Sequence, residues 1–338
     1  MVAPVNVLVM IHGMVPDRRP ASPFEAYETF YEELATVRWN LPELIGDNKI
    51  YVEWGHELEN MPPDQLRDDQ KLTRSQYFIN DRVSYDAVRT DQSPNNVLLS
   101  GLFGQDYGIP GVRNLITLIR ENIIHFGIGD VVYYCSPEGE RQVRSVVYEQ
   151  VLTQLDKFAD EPFVRLHIVA QSVGVTLSHD FLYGLFAKHH DPDFVEDRQG
   201  SQKSVELFKK WRDKALSNKL QLGTLISTAS QMPVFMMRKQ HLVDKFFNQE
   251  LLDPADIGIV DQKTVRWLIF YDIDDILGFS TRRLYHPTGA IKEIQVDSGD
   301  LPHRAHLDYW KNQTVIRETA DLIYRNCQLP VEPTNVPT

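Results

Sequence analysis

A serine lies between two small residues in the string Ala170-Gln171-Ser172-Val173-Gly174, where one apolar segment ends and another begins. Residues 164–169 are rich in β-branched and aliphatic side chains, which predicts a strand, and the residues after the serine predict a helix. Small flanking residues favour a sharp strand-to-helix turn, because bulky side chains would clash where the backbone reverses direction. Such a turn would raise the Ser172 hydroxyl clear of the sheet, close to the N–H groups of a helix N-terminus. This arrangement suits nucleophilic attack by the hydroxyl on a carbonyl carbon.

A nucleophilic serine needs two partners, and the later part of the chain contains candidates for both. The hydroxyl is almost fully protonated at neutral pH, so an adjacent base must accept its proton and a carboxylate must orient that base. Three aspartates follow a predicted strand, at the carboxyl edge of the expected sheet: Asp272, Asp274 and Asp275. Two histidines follow the next predicted strand: His303 and His306.

Strands and helices alternate along most of the chain. Residues 5–11 are almost continuously apolar, as in a strand that is buried on both faces of a parallel sheet. Further strands are predicted at residues 49–54, 130–135, 164–170, 222–227, 265–271 and 291–296. Helices are predicted at residues 23–37, 136–155, 173–188 and 313–326. The alternation predicts an α/β fold with an open, mostly parallel sheet and helices on both faces.

Two segments interrupt this alternation. Residues 56–128 begin polar and then become apolar and punctuated by glycines, and we interpret them as a cap or lid insertion over one end of the sheet. Residues 189–220 are charged and form a second, smaller excursion. The predicted core therefore consists of residues 1–55 and 129–328, and the proline-rich tail 329–338 is predicted to be disordered.

The composition excludes several classes of protein. The net charge of −12 does not suit a phosphate-backbone partner, so we expect no binding to nucleic acid. The two cysteines exclude a disulfide framework. No segment has ~18 consecutive apolar residues and the N-terminus lacks a signal-peptide pattern, so we expect a cytoplasmic protein without a transmembrane segment. His56-Glu57 lacks the second histidine of a zinc motif, since position 60 is asparagine, and we expect no metal or other cofactor.

His12-Gly13, directly after the first predicted strand, is a further motif that bears on function. Together with the serine turn and the order serine, aspartate, histidine along the chain, it resembles motifs of the α/β-hydrolase superfamily, particularly of its lipase- and esterase-like members. The resemblance covers residues 5–326 apart from the two interruptions. It implies an α/β-hydrolase fold and catalysis by a serine, a histidine and an aspartate.

The resemblance assigns roles around the serine. Ser172 is the implied nucleophile, and the backbone N–H groups of Val173 and of Met14 (or Val15) are the implied oxyanion-hole donors. Supporting positions of the same motifs are His12, Gly13, Gln171 and Gly174. Two residues depart from the family pattern, since Ala170 replaces the usual glycine and Gln171 the usual histidine, and neither departure removes a reactive group.

The resemblance also selects among the aspartates and the histidines. Asp275 is the preferred acid because apolar residues follow it, Asp274 is the alternative acid, and Asp272 could be a turn or cap residue. His306, in the string His-x-x-Tyr-Trp, resembles the base of lipase-like proteins. His303 is interpreted as an exposed loop residue.

The implied function is that of a serine hydrolase that cleaves a carboxylic ester through an acyl-enzyme on Ser172. The partner would be a small-molecule or lipid ester, because the apolar stretch 97–124 suits an acyl-lined or lidded pocket. The same stretch equally suits a packed subdomain that covers the sheet edge. The same triad serves amidases, thioesterases and acyltransferases, and a non-catalytic relative would use the fold as a binding module. The oligomeric state cannot be inferred from the sequence.

Overall fold

The computed structural model describes residues 3–13, 23–54, 137–188, 202–236, 240–299 and 302–331. Contacts within the chain divide it into two units, residues 1–53 together with 130–338, and residues 54–129. The elements described below belong to the first unit. The predicted insertion 56–128 and the predicted strand 130–135 lie outside the described residues.

The described residues of the first unit contain a sheet of six strands. The strands are β1 (Val5–Ile11), β2 (Lys49–Val52), β3 (Val164–Gln171), β4 (Leu220–Thr228), β5 (Trp267–Tyr271) and β6 (Ile291–Gln295). Their order across the sheet is β2-β1-β3-β4-β5-β6, and every adjacent pair is parallel. The predicted α/β class with a parallel sheet is therefore confirmed.

Helices flank this sheet. Those in the described ranges are α1 (Pro23–Val37), α2 (Leu41–Ile45), α3 (Pro137–Leu155), α4 (Val173–Phe186), α5 (Gln202–Leu216), α6 (Met232–Met236), α7 (Gln240–Phe247), α8 (Pro302–Leu307) and α9 (Gln313–Cys327). Helix α5 lies within the predicted excursion 189–220, packs against α3 and α4, and precedes β4. None of the helices just named is long and apolar enough to cross a membrane.

The central strands end together at one edge of the sheet. β4 is buried throughout, and β1 and β3 are each buried except for one terminal residue. This burial explains the almost continuously apolar sequence of β1, because a parallel sheet is covered on both faces. In the parallel register, Ile11 pairs with Ala170 and Gln171 pairs with Thr228. The segments that leave β1, β3 and β4 therefore begin next to one another.

Polar side chains are also buried within the sheet, near the start of β3. His167 is completely buried, and its ring nitrogens lie 3.1 Å from Thr224 Oγ1 and 3.2 Å from Asn6 Oδ1. Burial, reinforced by the positive charge of Arg165, lowers the pKa of His167 to about 3. His167 is therefore a neutral, hydrogen-bonded core residue.

The start of the C-terminal tail is anchored by Arg165. The guanidinium, buried within β3, donates to the backbone carbonyls of Leu329 at 2.8 Å and Pro330 at 3.0 Å. These two residues belong to the segment that the sequence predicts to be disordered. A buried guanidinium requires acceptors for its N–H groups, and these two carbonyls supply them. Residues 332–338 lie outside the described part of the chain.

Candidate active site

Ser172 forms the turn between β3 and α4. Its backbone has φ 54° and ψ −126°, a conformation that residues with a side chain rarely adopt. Gln171 ends the strand and Val173 begins the helix, so regular structure holds the serine on both sides. The Ser172 N–H donates to the Thr228 carbonyl at 2.9 Å, which ties the turn to the end of β4. The predicted sharp strand-to-helix turn is thus present.

Two glycines let the end of β1 approach this turn. A methyl group added at Gly13 would lie 2.6 Å from Ser172 Cβ and 3.2 Å from Ser172 Oγ, so the Gly13 backbone lies directly against the serine side chain. A methyl group added at Gly174 would lie 2.6 Å from the carbonyl oxygens of Ile11 and His12. A larger residue at either position would push the two segments apart.

Gly174→Ala tests this packing because two effects oppose each other. Alanine favours a helix over glycine by about 1 kcal/mol. The added methyl group, however, would overlap two backbone carbonyl groups, which cannot rotate away as a side chain would. Overpacking of this kind costs about 1–3 kcal/mol and sometimes more. We therefore expect the variant to unfold at a lower temperature than the wild type in differential scanning calorimetry.

Gly184→Ala, in the last turn of the same helix, is the matched control. At this position the added methyl group would lie 2.7 Å from Cζ of Phe208, which is the tip of a side chain. A ring shifts more easily than backbone, so the unfolding temperature should fall less than in Gly174→Ala. An equal or larger fall at Gly184 would contradict the steric role of Gly174.

His306 and Asp275 form a hydrogen-bonded chain with Ser172. His306 Nε2 lies 3.0 Å from Ser172 Oγ, and His306 Nδ1 lies 2.9 Å and 3.1 Å from the two carboxylate oxygens of Asp275. The Asp275 side chain is completely buried, whereas that of His306 is 16% exposed. The buried carboxylate favours the tautomer with the proton on Nδ1. Nε2 is then free to accept the proton of the serine hydroxyl.

The neighbouring aspartates make different contacts. Asp274 is exposed, and its backbone N–H donates to Asp272 Oδ1 at 2.9 Å. Asp272 is buried, and its Oδ2 accepts a hydrogen bond from the Ser298 N–H, so its carboxylate ties the loop after β5 to the loop after β6. Asp272 is therefore a turn residue, and Asp275 is the aspartate whose carboxylate meets His306.

Gln171 and Val173 flank the serine and contribute in different ways. The Gln171 side-chain amide donates to the backbone carbonyl of His306 at 3.0 Å. Gln171 therefore holds the segment that carries the imidazole. Val173 is the first residue of α4, and the first N–H groups of a helix lack an intrahelical acceptor. Its N–H is therefore suited to bind an anionic oxygen.

Three further residues named in the sequence analysis, Met14, Val15 and His303, have no described side chain near Ser172, His306 and Asp275. Met14 and Val15, the candidates for the second oxyanion donor, lie outside the described residues. His303 belongs to α8, the helix that contains His306, and its side chain is not among the described ones.

Tyr27 holds the segment that leads to Gly13. Its hydroxyl accepts a hydrogen bond from the His12 N–H at 2.7 Å and donates to the Val52 carbonyl at 2.8 Å. Burial raises the pKa of Tyr27 well above its usual value, so the phenol remains neutral and keeps the proton that it donates. This contact was not predicted, because Tyr27 is indistinguishable in the sequence from the other apolar-face residues of α1.

The Asp275 carboxylate has two further donors that the sequence analysis did not identify. The Leu277 N–H donates to Oδ1 at 2.9 Å, and the Tyr309 hydroxyl donates to Oδ2 at 3.1 Å. The only sequence signal for Tyr309 is its position three residues after His306, in the His-x-x-Tyr-Trp string. Four hydrogen-bonding contacts in all therefore fix this buried carboxylate, including the two to the imidazole.

The described residues contain no group of three or more histidine, cysteine, aspartate or glutamate side chains arranged to hold a metal ion. Comparison of the chain with models of protein families, with curated proteins and with solved structures found no match. The functional inference therefore rests on the geometry of the residues around Ser172.

Proposed function

We propose that this protein is a serine hydrolase of the α/β-hydrolase fold and that it cleaves carboxylic esters. The observation that carries the proposal is the continuous chain from Asp275 through His306 to Ser172, with distances of 2.9 Å and 3.0 Å. The three residues follow three different strands, and the serine and histidine are 134 positions apart in the sequence. The strained backbone of Ser172 and the close approach of Gly13 support the same proposal.

In the proposed reaction, Ser172 Oγ attacks the ester carbonyl carbon while its proton moves to His306 Nε2. Asp275 accepts the Nδ1–H hydrogen bond and stabilises the imidazolium that forms. The imidazolium then gives its proton to the departing alkoxide, so the alcohol leaves and the acyl group remains on Ser172. His306 then accepts a proton from a water molecule as this water attacks the acyl-enzyme. The bond between the acyl group and Ser172 Oγ breaks, the imidazolium returns its proton to Oγ, and the carboxylic acid leaves.

The negative oxygen of the tetrahedral intermediate requires N–H donors. The Val173 N–H, at the start of α4, is the first donor that we propose, and the N–H of Met14 is the second. The approach of Gly13 to Ser172 supports this pairing, because Gly13 directly precedes Met14 in the sequence and its backbone lies against the serine side chain.

The surface near the acid supports an ester with an apolar acyl group. Ile273, Ile276 and Phe279 are 71%, 49% and 37% exposed, and they lie on the loop that carries Asp275. Contiguous exposed apolar surface is typical of ligand-binding sites, and these three side chains lie within one short stretch of the chain. A triad alone does not distinguish esters from amides or thioesters, so the leaving group is decided by measuring turnover of each class.

Labelling with a fluorophosphonate probe tests the proposal, since this probe reacts covalently with an activated serine. We expect the folded wild type to be labelled, and peptide mass spectrometry to map the label to Ser172. Labelled protein should no longer hydrolyse p-nitrophenyl esters. The Ser172→Ala variant should not be labelled. A folded wild type that resists the probe, or equal labelling of Ser172→Ala, would overturn the proposal.

A chain-length series of p-nitrophenyl esters extends this test to the acyl group. We expect turnover to rise from acetyl to longer acyl chains, because the exposed side chains beside Asp275 would bury apolar surface of the substrate. A flat profile, or a preference for acetyl alone, would count against a lipid substrate.

A further inference from the structure

Tyr309 connects the loop of the acid to the segment of the base. It begins the 3-10 turn Tyr309–Lys311, three residues after His306, and its side chain is completely buried. Its hydroxyl oxygen accepts a hydrogen bond from the Asp272 N–H at 2.8 Å and lies 3.1 Å from Asp275 Oδ2. Two groups of the loop after β5 thus converge on one phenol.

The direction of these hydrogen bonds follows from the chemistry of the partners. A backbone N–H can only donate, so the Tyr309 oxygen accepts from Asp272 and its own proton is available for the Asp275 carboxylate. Burial, reinforced by the negative charge of Asp275, raises the pKa of Tyr309 above its usual value. The phenol therefore remains a neutral donor at neutral and mildly alkaline pH.

The surroundings leave the Asp275 carboxylate little freedom to rotate. Oδ1 accepts hydrogen bonds from the Leu277 N–H and from His306 Nδ1, both at 2.9 Å. Oδ2 accepts from Tyr309, and a methyl group added at Gly278 would lie 2.5 Å from it. The backbone of Gly278 therefore lies close against this oxygen.

We propose that Tyr309 is a positioning residue that holds the Asp275 carboxylate and the His306 segment in a fixed position relative to each other. Because Tyr309 lies three residues after His306, its hydrogen bond to Asp275 Oδ2 limits how far the imidazole and the carboxylate can move apart. Its proton also shares the negative charge of Asp275, which limits how strongly the carboxylate stabilises an imidazolium. The catalytic consequence rests on the proposed hydrolase function, whereas the positioning itself does not.

Tyr309→Phe removes the hydroxyl and keeps the ring. We expect kcat for ester hydrolysis to fall about 10- to 100-fold, as the loss of one hydrogen bond to a charged group implies, with little change in KM. We also expect the pKa of His306, followed by NMR titration, to rise, because Asp275 without this donor attracts the imidazolium more strongly. Among the described residues, Asp272, Asp275, His306 and Tyr309 are the titratable groups that meet at this position.

Tyr309→3-fluorotyrosine provides the opposite change in a side chain of nearly the same shape. Fluorine makes the phenol a stronger donor, so the pKa of His306 should fall. This variant keeps both hydrogen bonds and therefore tests the inference even if Tyr309→Phe does not fold. A purely structural role for Tyr309 would not move the titration of His306 in opposite directions in the two variants.

Tyr31→Phe is the matched control. Tyr31 is also buried, and its hydroxyl has no hydrogen-bond partner among the described residues. The Tyr31→Phe variant should have the same kcat as the wild type, and the NMR titration of His306 in this variant should also be unchanged. Unchanged titration of His306 in both Tyr309 variants would overturn the inference. A wild type that neither hydrolyses esters nor reacts with fluorophosphonate, while the titrations still shift, would overturn the proposed function and leave the positioning role supported.

Discussion

Replacing Ser172 with alanine is expected to lower kcat for ester hydrolysis by about a million-fold, the size of loss that follows removal of the nucleophile from a serine triad. The backbone donors and the imidazole remain, but no group forms the acyl-enzyme. Initial rates with p-nitrophenyl esters, measured on protein whose folding has been checked by circular dichroism, test this expectation. Residual turnover within tenfold of the wild type would contradict a nucleophilic role.

Ser178→Ala is the control for this change. Ser178 is a buried serine of the same helix, and its hydroxyl donates to the Gly174 carbonyl at 2.7 Å. Its loss should cost about 1 kcal/mol of stability and leave the rate within about twofold of the wild type. A large loss of rate in Ser178→Ala would show that helix α4, rather than the Ser172 hydroxyl, is what the substitutions disturb.

The Ser172→Gly variant distinguishes the effect of backbone strain at position 172 from the effect of losing the hydroxyl. Both Ser172→Ala and Ser172→Gly lack the hydroxyl, but only alanine keeps a Cβ at φ 54°. Glycine adopts this conformation without steric cost. We therefore expect both variants to be inactive and Ser172→Gly to unfold at the higher temperature of the two.

Asp275→Asn is expected to lower kcat by about ten-thousand-fold, because asparagine no longer holds the imidazole in the tautomer that accepts from the serine. Asp274→Asn, one position earlier, is the matched control. Asp274 is exposed, so its replacement should leave kcat within about twofold of the wild type. Steady-state kinetics of the two variants decide between the two acids that the sequence leaves open. Equal losses, or a larger loss in Asp274→Asn, would contradict the assignment to Asp275.

Several parts of the candidate site could be predicted because they depend on short stretches of the chain. Small residues around Ser172 predict the turn, since any larger side chain would meet the end of β1, as the distances at Gly174 now explain. The order of strands and helices predicts a parallel sheet. Parallel strands bring their carboxyl ends to one edge, so the candidate serine, aspartates and histidines were expected to meet there.

Other parts could not be predicted because they depend on contacts between distant residues. Asp274 and Asp275 have the same side chain and adjacent positions, and their difference arises from a loop whose shape is held by the Asp272–Ser298 contact. The partner of Gln171 lies 135 positions away, and that of Tyr309 lies 34 positions away. No periodicity or motif in the sequence indicates which acceptor such a side chain reaches.

The sequence by itself determined the α/β class, the strand-to-helix turn at Ser172 and the small set of residues that include the candidate acid and the candidate base. These features follow from backbone sterics and from the burial of apolar side chains, which act over a few neighbouring residues. Only the tertiary structure decided that Asp275 rather than Asp274 meets His306, and that Tyr309 and Gln171 hold that pair. The physical reason is that a hydrogen bond depends on distances within a few tenths of an ångström, and such distances are set by the packing of whole elements against one another.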